Sequence, residues 1–200
     1  TRLSIGYPAG VFWLPRHAGF DSAGREIFKN YDADGKYTGT STHFSNQDKF
    51  YIDPTPGFTW GLTQQFRLQN FDLEIFLRGV QGQKIFANSL LNLGSLAYLP
   101  ARNITVNALT NGFAELPQAS DYWLQNASFC RLENISLGYT FNNWKAIDKL
   151  RIYFTANKLF VISDYEGMDP EISTDSPQRY IDYGYYPKAR SFVIGVNVSF

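Results

Sequence analysis

The chain has 200 residues, 44% of them hydrophobic and 17% aromatic, and its 18 basic and 18 acidic side chains give a formal net charge of zero. This low net charge argues against the overall electrostatic footprint of a nucleic-acid-binding protein, so we expect no nucleic-acid partner. The sequence has no apolar run near the roughly 18 residues of a membrane-spanning helix. Strands that cross a membrane are shorter and alternate in character, so they remain compatible with this composition.

Cysteine and histidine usage narrows the chemistry further. Cys130 is the one cysteine, which excludes an internal disulfide framework and a multi-cysteine zinc site. His17 and His43 have no partner ligands nearby in the sequence, so we interpret them as solvated loop residues. The first residues lack the basic start, apolar stretch and cleavage site of a signal peptide, so an exported protein would here be a processed form or a fragment.

Alternation of apolar and polar residues predicts β-strands in five clear runs. The clearest runs are 58–68 and 71–79, which are separated by Gln69 and Asn70 and predict a β-hairpin. Three further runs predict strands at 128–141, 150–161 and 188–200. Weaker signals indicate short strands within 2–12 and at 49–52, and short helical pieces within 85–110.

The lengths of the connections alternate between short and long. Short connections at 69–70 and 142–148 lie between long ones at 80–127 and 162–187. Outer-membrane barrels pair short periplasmic turns with long extracellular loops, whereas a soluble β-sandwich has no reason to keep its long loops at one end. The polar faces of the predicted strands carry Thr, Ser, Gln and Asn with few lysines, which suits a barrel lumen. The pattern therefore favours a membrane barrel, with a soluble β-sandwich as the alternative.

Five segments stand in a specific order and spacing. They are NYDADGKYTG at 30–39, PTPGFTWGLTQQFRLQNFDLEIFLRGVQGQKIFA at 54–87, ASFCRLENISLGYTF at 127–141, LRIYFTANKLFVISDYEGMDPEI at 150–172 and YYPKARSFVIGVNVSF at 185–200. Together they resemble the C-terminal part of the SusC/RagA-like TonB-linked outer-membrane transporters over nearly the whole chain. Two positions depart from that pattern: Cys130 replaces an aliphatic residue, and Lys158 interrupts a commoner Asn-Leu-Phe.

The resemblance implies an all-β fold, in which residues 1–200 supply the C-terminal strands of a large antiparallel transmembrane β-barrel. Such a barrel has about 22 strands and an N-terminal plug, and this chain would provide roughly five to seven of the strands. The plug, the signal peptide and the TonB-engaging segment would lie outside this sequence. The implied location is the outer membrane of a Gram-negative bacterium, and the implied activity is energised uptake of oligosaccharides or peptides.

The same resemblance implies several partners and no cofactor. The partners are the remainder of the barrel and its plug, a SusD-like surface lipoprotein, TonB acting through the plug, the barrel-assembly machinery, outer-membrane lipid and the oligosaccharide or peptide substrate. In this family the assembly machinery reads a terminal aromatic residue on an alternating strand. The residues that match this signal are Phe192, Ile194, Val196, Val198 and Phe200.

Aromatic residues are frequent in the two long predicted connections. Their ring faces could stack on sugar rings, pack on a partner protein or pack among neighbouring loops. These candidate contact residues are Tyr98, Trp123, Tyr165, Tyr180, Tyr183, Tyr185 and Tyr186.

No residue set makes a convincing catalytic or metal site. The segment 31–35 has alternating carboxylates, but the spacing of a calcium loop fails after Asp34, so we interpret it as an acidic turn. Two carboxylate pairs are present: Asp169 with Glu171 in a predicted loop, and Asp72 with Glu74 on the polar strand face, where we expect them beside Arg78. Neither pair has a neighbour that would raise one pKa for acid–base work. We therefore expect no enzyme and no metal.

Two alternatives of other classes stay open at this point. The first is a secreted soluble β-sandwich that binds carbohydrate through loop aromatics. The second is a β-rich hydrolase, which the lack of a nucleophile or acid–base set disfavours. The glycosylation patterns at Asn103, Asn126 and Asn134 carry no weight in a bacterial protein.

Overall fold

The computed structural model describes residues 1–144, 147–172 and 179–200, with the side chains of 143 and 144 left aside. The chain divides into two compact units. The loop unit comprises Thr1–Thr55, Gly82–Ala127 and Tyr165–Tyr186, and the sheet unit comprises Pro56–Gln81, Ser128–Asp164 and Pro187–Phe200.

Antiparallel strands make up most of the regular structure. In chain order they are β1 (Phe12–Pro15), β2 (His17–Phe20), β3 (Glu26–Tyr31), β4 (Tyr37–Ser41), β5 (Lys49–Ile52), β6 (Phe58–Leu68), β7 (Phe71–Gln81), β8 (Lys84–Phe86), β9 (Leu124–Asn126), β10 (Phe129–Trp144), β11 (Ile147–Ser163) and β12 (Ser191–Ser199). The helical elements are α1 (Asn88–Leu93) and 3-10 turns at Asn46–Asp48, Leu96–Tyr98, Val106–Leu109 and Asp121–Trp123. Within the described ranges, no helix has both the length and the apolar character needed to span a membrane.

The sheet unit is a single antiparallel sheet in the order β12-β11-β10-β7-β6. Because facing residues of paired strands point to the same side, the register creates continuous rows across the sheet. One row is Phe66, Leu73, Leu137, Phe154 and Ile194. Strands β6 and β12 are the two outer strands of this sheet.

A β-bulge interrupts the long pair formed by β10 and β11. Leu132 faces Phe160 and Asn134 faces Asn157, so two residues of β11 lie opposite Glu133 alone. Lys158 is one of the two and has a left-handed φ of 54°. The departure noted at Lys158 therefore coincides with the extra position of a bulge, where a local kink redirects the strand.

The loop unit contains three small sheets, formed by β1-β5, β2-β3-β4 and β8-β9. Its larger core consists of Phe12, Leu14, Phe86, Phe113, Trp123 and Tyr180. A second core consists of Ile85, Ala87, Ala127, Tyr165 and Ile172. The two long predicted connections are thus folded segments that supply most of these core residues.

The predicted hairpin is confirmed, since β6 and β7 pair along their whole length from Phe58 opposite Gln81 to Leu68 opposite Phe71. The strands predicted at 128–141 and 150–161 are confirmed but longer. The predicted connection 142–148 is wrong for most of its length, because β10 continues to Trp144 and β11 begins at Ile147. The last strand begins at Ser191, three residues later than predicted.

The N-terminal third differs most from the predictions. The strand expected within 2–12 is wrong, since only an isolated bridge joins Arg2 to Val11 and β1 begins at Phe12. The short strand at Lys49–Ile52 is confirmed as β5, whereas β2, β3 and β4 were not predicted. Strands of four to six residues are too short to show a clear period of two.

Candidate binding surfaces

The sheet unit has one apolar face, and much of it is exposed. Val196 is 55% exposed and Ile194 is 77% exposed, although both lie in the middle of β12. The exposed large side chains of this face are Phe58, Leu62, Phe66, Leu68, Phe71, Leu137, Phe141, Ile152, Phe154, Phe160, Ile162, Phe192, Ile194, Val196 and Val198. An apolar surface of this extent is unfavourable in water by about 25 cal/mol per Å². It therefore indicates a surface suited to lipid or another apolar partner.

Glycine and tryptophan are matched on this apolar face. Trp60 of β6 lies directly opposite Gly79 of β7. A Cβ atom at Gly79 would overlap the Trp60 indole, so the ring occupies the space that a side chain would fill. The indole thereby covers backbone that glycine leaves open.

The opposite face of the sheet is polar and internally hydrogen-bonded. The Arg151 guanidinium donates from Nε to Asp72 Oδ1 at 3.0 Å and from Nη2 to Asp72 Oδ2 at 2.5 Å. Arg78 Nε donates to Glu133 Oε2 at 2.9 Å. Gln65 Nε2 donates to the Glu74 carboxylate, and neutral pairs continue the network: Ser136 with Thr155, Asn134 with Asn157, and Asn157 with Ser191. This face offers polar groups that already satisfy one another.

The structure corrects the expected surroundings of Asp72. The sequence placed Asp72 and Glu74 beside Arg78, but Arg78 pairs with Glu133 and Asp72 with Arg151. Glu74 accepts a hydrogen bond from Gln65 at 2.7 Å. Both carboxylates hold structural hydrogen bonds, so their arrangement does not provide an acid–base pair.

His17 lies at the start of β2 and is half-buried, so the interpretation of a solvated loop histidine is wrong for this residue. Its Nδ1 lies 3.0 Å from Glu26 Oε1, and its ring packs against Phe20 and Tyr122. Ser120 Oγ donates to the same Glu26 oxygen at 2.5 Å. Because the serine bonds the carboxylate and not the imidazole, the three side chains do not form a nucleophile–base pair.

The acidic turn predicted at 31–35 is confirmed as the connection between β3 and β4. Asp32 Oδ1 accepts hydrogen bonds from the backbone N–H groups of Asp34 at 3.1 Å and Lys36 at 2.8 Å. A carboxylate used in this way closes the turn by itself. Across the described part of the chain, no group of three or more His, Cys, Asp or Glu residues has the proximity of a metal site.

Asp48 is a buried carboxylate that holds the β3–β4 region to the following turn. It accepts hydrogen bonds from the backbone N–H groups of Tyr31 at 2.7 Å and Ser45 at 2.6 Å, and from Ser45 Oγ at 2.8 Å. Burial alone would raise the pKa of Asp48, but the hydrogen bonds from Ser45 and Tyr31 together outweigh it and lower that pKa.

The candidate aromatic residues fall into two groups. Trp123, Tyr165 and Tyr180 are buried in the cores of the loop unit, so their rings face neighbouring residues of the same unit. Tyr165 donates to Asp182 Oδ2 at 2.6 Å, and burial together with this contact raises the pKa of the Tyr165 phenol. Contact with a ligand is therefore not expected of these three residues as they stand.

The other four candidates reach the surface of the loop unit. Tyr183 is 56% exposed and Tyr186 is 91% exposed, whereas Tyr98 and Tyr185 are half-buried. Their phenol rings remain able to stack on a ligand or a partner. Sequence reasoning could not separate these from the buried ones, because all seven lie in irregular segments without a period that marks a core face.

Four of the five residues of the expected assembly signal lie on one strand, and Phe200 follows directly after it. Phe192, Ile194, Val196 and Val198 lie on the apolar face of the outer strand β12, and Phe200 is 88% exposed. Gly195 lies between them on the polar face, where the Tyr153 ring occupies the space of its missing side chain. The alternation in the sequence thus matches the apolar and polar faces of β12.

A basic groove in the loop unit was missed by the sequence reasoning. It has a volume of about 480 Å³. Its lining residues are Arg16, His17, Lys29, Phe50, Tyr51, Ile52, Lys84 and Asp121. Its three cations, Arg16, Lys29 and Lys84, come from separate parts of the sequence, so no local motif predicts the groove.

The chain is similar in sequence to TonB-dependent receptors. No family model matches the sequence. TonB-dependent receptor P3 of Formosa agariphila is 31% identical over 214 residues, which cover 97% of this chain and 20% of the relative. TonB-dependent receptor SusC of Bacteroides thetaiotaomicron is 31% identical over 211 residues, which cover 98% of this chain and 20% of the relative. The chain therefore spans about a fifth of the length of these relatives.

Solved structures share the fold at lower identity. The RagAB peptide transporter superposes with a TM-score of 0.76 at 23% identity, covering 96% of this chain and 24% of that chain. The RagAB peptide importer in its closed-closed state gives a TM-score of 0.78 at 22% identity, covering 100% of this chain and 25% of that chain. Sequence relatives and fold agree, and the chain is a SusC/RagA-like segment related over nearly its whole length to TonB-dependent receptors.

Proposed function

We propose that this chain forms part of the wall and the extracellular loops of a TonB-dependent nutrient importer in the outer membrane of a Gram-negative bacterium. The observation that carries the proposal is the sheet unit, whose long antiparallel strands have an exposed apolar face and a hydrogen-bonded polar face. Strands of outer-membrane barrels alternate in the same way between lipid and lumen. The TonB-dependent receptors related to the chain support the same function.

In this proposal residues 1–200 are the C-terminal barrel segment. The outer strands β6 and β12 have backbone groups that only neighbouring strands of a closed barrel can pair within lipid. The complete barrel would have about 22 strands surrounding a plug. The connections 80–127 and 162–187 would form extracellular loops, and the short turn after β6 would lie on the periplasmic side.

The proposed cargo is an oligosaccharide or a peptide, taken up without covalent chemistry. Among the relatives, one is named SusC and the solved RagAB structures are described as a peptide importer. Among the seven candidate aromatics, Tyr98, Tyr183, Tyr185 and Tyr186 have surface access, and we assign them to cargo or lipoprotein contact. Trp123, Tyr165 and Tyr180 would position these loops from within the cores.

The proposed partners follow from the same assignment. A SusD-like lipoprotein would cover the extracellular loops, TonB would act through the plug, and the barrel-assembly machinery would recognise Phe200 and the apolar residues of β12. Outer-membrane lipid would contact the apolar face of the sheet unit.

The test is to isolate the native particle that contains this sequence. Membranes of the producing bacterium are fractionated, the outer membrane is extracted with detergent, and the particle is captured through a tag in the exposed turn at 33–35. Intact-mass measurement under denaturing conditions then identifies every polypeptide. Recovery from the outer membrane, with plug and remaining strands on the same or a second polypeptide, would support the importer. A lone 22.8 kDa species that folds in water without detergent would contradict it and favour the soluble sandwich.

The activity is tested separately by uptake. Cells that carry or lack the gene are supplied with mixed radiolabelled oligosaccharides or peptides, and accumulation is compared with and without a protonophore. The importer predicts accumulation that needs both the gene and the proton-motive force. Accumulation that persists without the gene or without the proton-motive force would contradict the proposed activity.

A further inference from the structure

The basic groove lies where three segments of the loop unit converge. Arg16 connects β1 to β2, Lys29 lies in β3, and Lys84 begins β8. Backbone hydrogen bonds fix this meeting point, since Lys29 N–H donates to the Arg16 carbonyl at 3.0 Å and Lys84 N–H donates to the Pro54 carbonyl at 3.0 Å. The three cations are therefore brought together by the fold.

Within the described residues, the three cations of the groove, Arg16, Lys29 and Lys84, form no ion pairs. Asp121 is the one carboxylate of the lining, and its Oδ1 accepts a hydrogen bond from the His17 backbone N–H at 2.7 Å. In a chain with a net charge of zero, the groove is thus a local concentration of positive charge.

The groove also has a guanidinium stacked on an aromatic ring and apolar walls. The Arg16 guanidinium lies 4.2 Å from the centroid of the Phe50 ring, which limits its movement. Ile52 and the ring of Tyr51 line the same space. Arginine binds a carboxylate with two parallel hydrogen bonds when it is held in one orientation. A volume of about 480 Å³ is enough for a small ligand group.

We infer that this groove binds a carboxylate group of the imported molecule. The inference rests on the proposed importer function, and it narrows the cargo to molecules that carry a free acid. Arg16 receives the carboxylate, Lys29 and Lys84 supply further positive charge, and Phe50 with Tyr51 contacts the adjoining apolar part. The carboxylate belongs either to a peptide terminus or to a uronic acid of a glycan, since both present the same planar anion.

The test measures equilibrium binding to the complete detergent-purified importer, without TonB or an energy source. Two matched probe pairs are used. The peptide pair is N-acetyl-tetra-alanine and its C-terminal amide, and the glycan pair is trigalacturonic acid and its trimethyl ester. At least one acid should bind about tenfold more tightly than its neutral analogue, and this preference should shrink as salt is raised. The pair that shows the preference identifies the source of the carboxylate.

Variants of the groove locate the effect. Arg16→Gln and Lys84→Gln, each at an exposed position, should weaken binding of the acid about tenfold and leave the neutral analogue unchanged. Lys36→Gln is the matched control, because Lys36 is an exposed cation of the β3–β4 turn outside the groove. Each variant is first shown to reach the outer membrane at the wild-type level.

The outcomes separate this inference from the function on which it rests. Equal binding of acid and neutral analogue in both pairs, or a preference that survives Arg16→Gln and Lys84→Gln, would overturn the groove assignment even if import is normal. A preference that depends on Arg16 would support the assignment. Because binding is measured without energy, absence of import together with that preference would count against the importer function and not against the groove.

Discussion

Arg151 binds Asp72 across an intervening strand, with its Nε and Nη2 atoms on the two carboxylate oxygens at 3.0 and 2.5 Å. Asp72 lies on β7 and Arg151 on β11, and β10 runs between them. The bridge is possible because Gly138 of β10 stands beneath it: a Cβ atom there would lie 2.6 Å from both Arg151 Nη2 and Asp72 Oδ1. A glycine thus opens the path for a bond that links three strands.

Gly138→Ala should break this bridge. The added methyl group needs the space of the guanidinium and the carboxylate, so we expect the assembled barrel to lose about 1–3 kcal/mol. The measurement is the temperature at which the folded band converts to the unfolded band in detergent electrophoresis. Gly57→Ala is the control, since a Cβ atom there meets nothing closer than the Gln81 carbonyl at 3.7 Å. Equal conversion temperatures for the two variants would show that the bridge is dispensable.

Two valines of β12 test which face meets lipid. Val196 lies on the apolar face and Val193 on the polar face, and both are partly exposed at 55% and 44%. Val196→Arg should impair assembly, because an arginine facing lipid near the midplane costs about 2–4 kcal/mol. Val193→Arg should assemble at a level near that of the wild type. The measurement is the amount of each folded variant in isolated outer membranes. More folded Val196→Arg than Val193→Arg would reverse the proposed orientation of the sheet.

Phe200 tests the proposed assembly signal. Its side chain is 88% exposed, so its removal leaves no cavity in the chain. We expect Phe200→Ala to lower the amount of folded protein in the outer membrane several-fold without changing the transcript level. Ser199→Ala at the neighbouring position serves as the control. An unchanged outer-membrane level of the Phe200→Ala variant would contradict the proposed role of this residue in assembly.

Asp48 should make the loop unit sensitive to acid. Because its pKa is lowered in the folded chain, its hydrogen bonds contribute stability above the ordinary aspartate pKa of about 3.9, and that stability is lost as the pH falls through the lower folded value. Hydrogen exchange of residues 37–50, corrected for its intrinsic pH dependence, should therefore accelerate at the acidic end of a series from pH 6 to pH 3.

The variant Asp48→Asn should lose about 1–3 kcal/mol of local stability, since an amide cannot accept from all the donors around it. Its hydrogen exchange should therefore be faster already at pH 6. Its exchange should then vary little with pH. Asp34→Asn, at an exposed position of the adjacent turn, is expected to behave like the wild type. An acid response that is the same in Asp48→Asn and wild type would assign the sensitivity to another group.

The hairpin of β6 and β7 could be predicted to the residue at its turn, because alternation and a two-residue connection are local signals. The ends of β10 and β11 could not, since Asn142 and Lys149 are polar and resemble a loop although they face each other as strand partners. For the candidate aromatics, exposure separates Tyr186 from Trp123, and exposure depends on residues far away in the chain.

By itself, the sequence determined the alternation of the long strands and the resemblance to the SusC/RagA-like transporters, because both are encoded in neighbouring residues and in the order of segments. Only the tertiary structure decided which partners Asp72, Arg78 and Glu26 take, that the long connections fold around cores of their own, and that Arg16, Lys29 and Lys84 line one groove. The reason is physical: periodicity specifies the face of a strand, whereas charge pairs and grooves arise from residues that chain folding brings together across long separations.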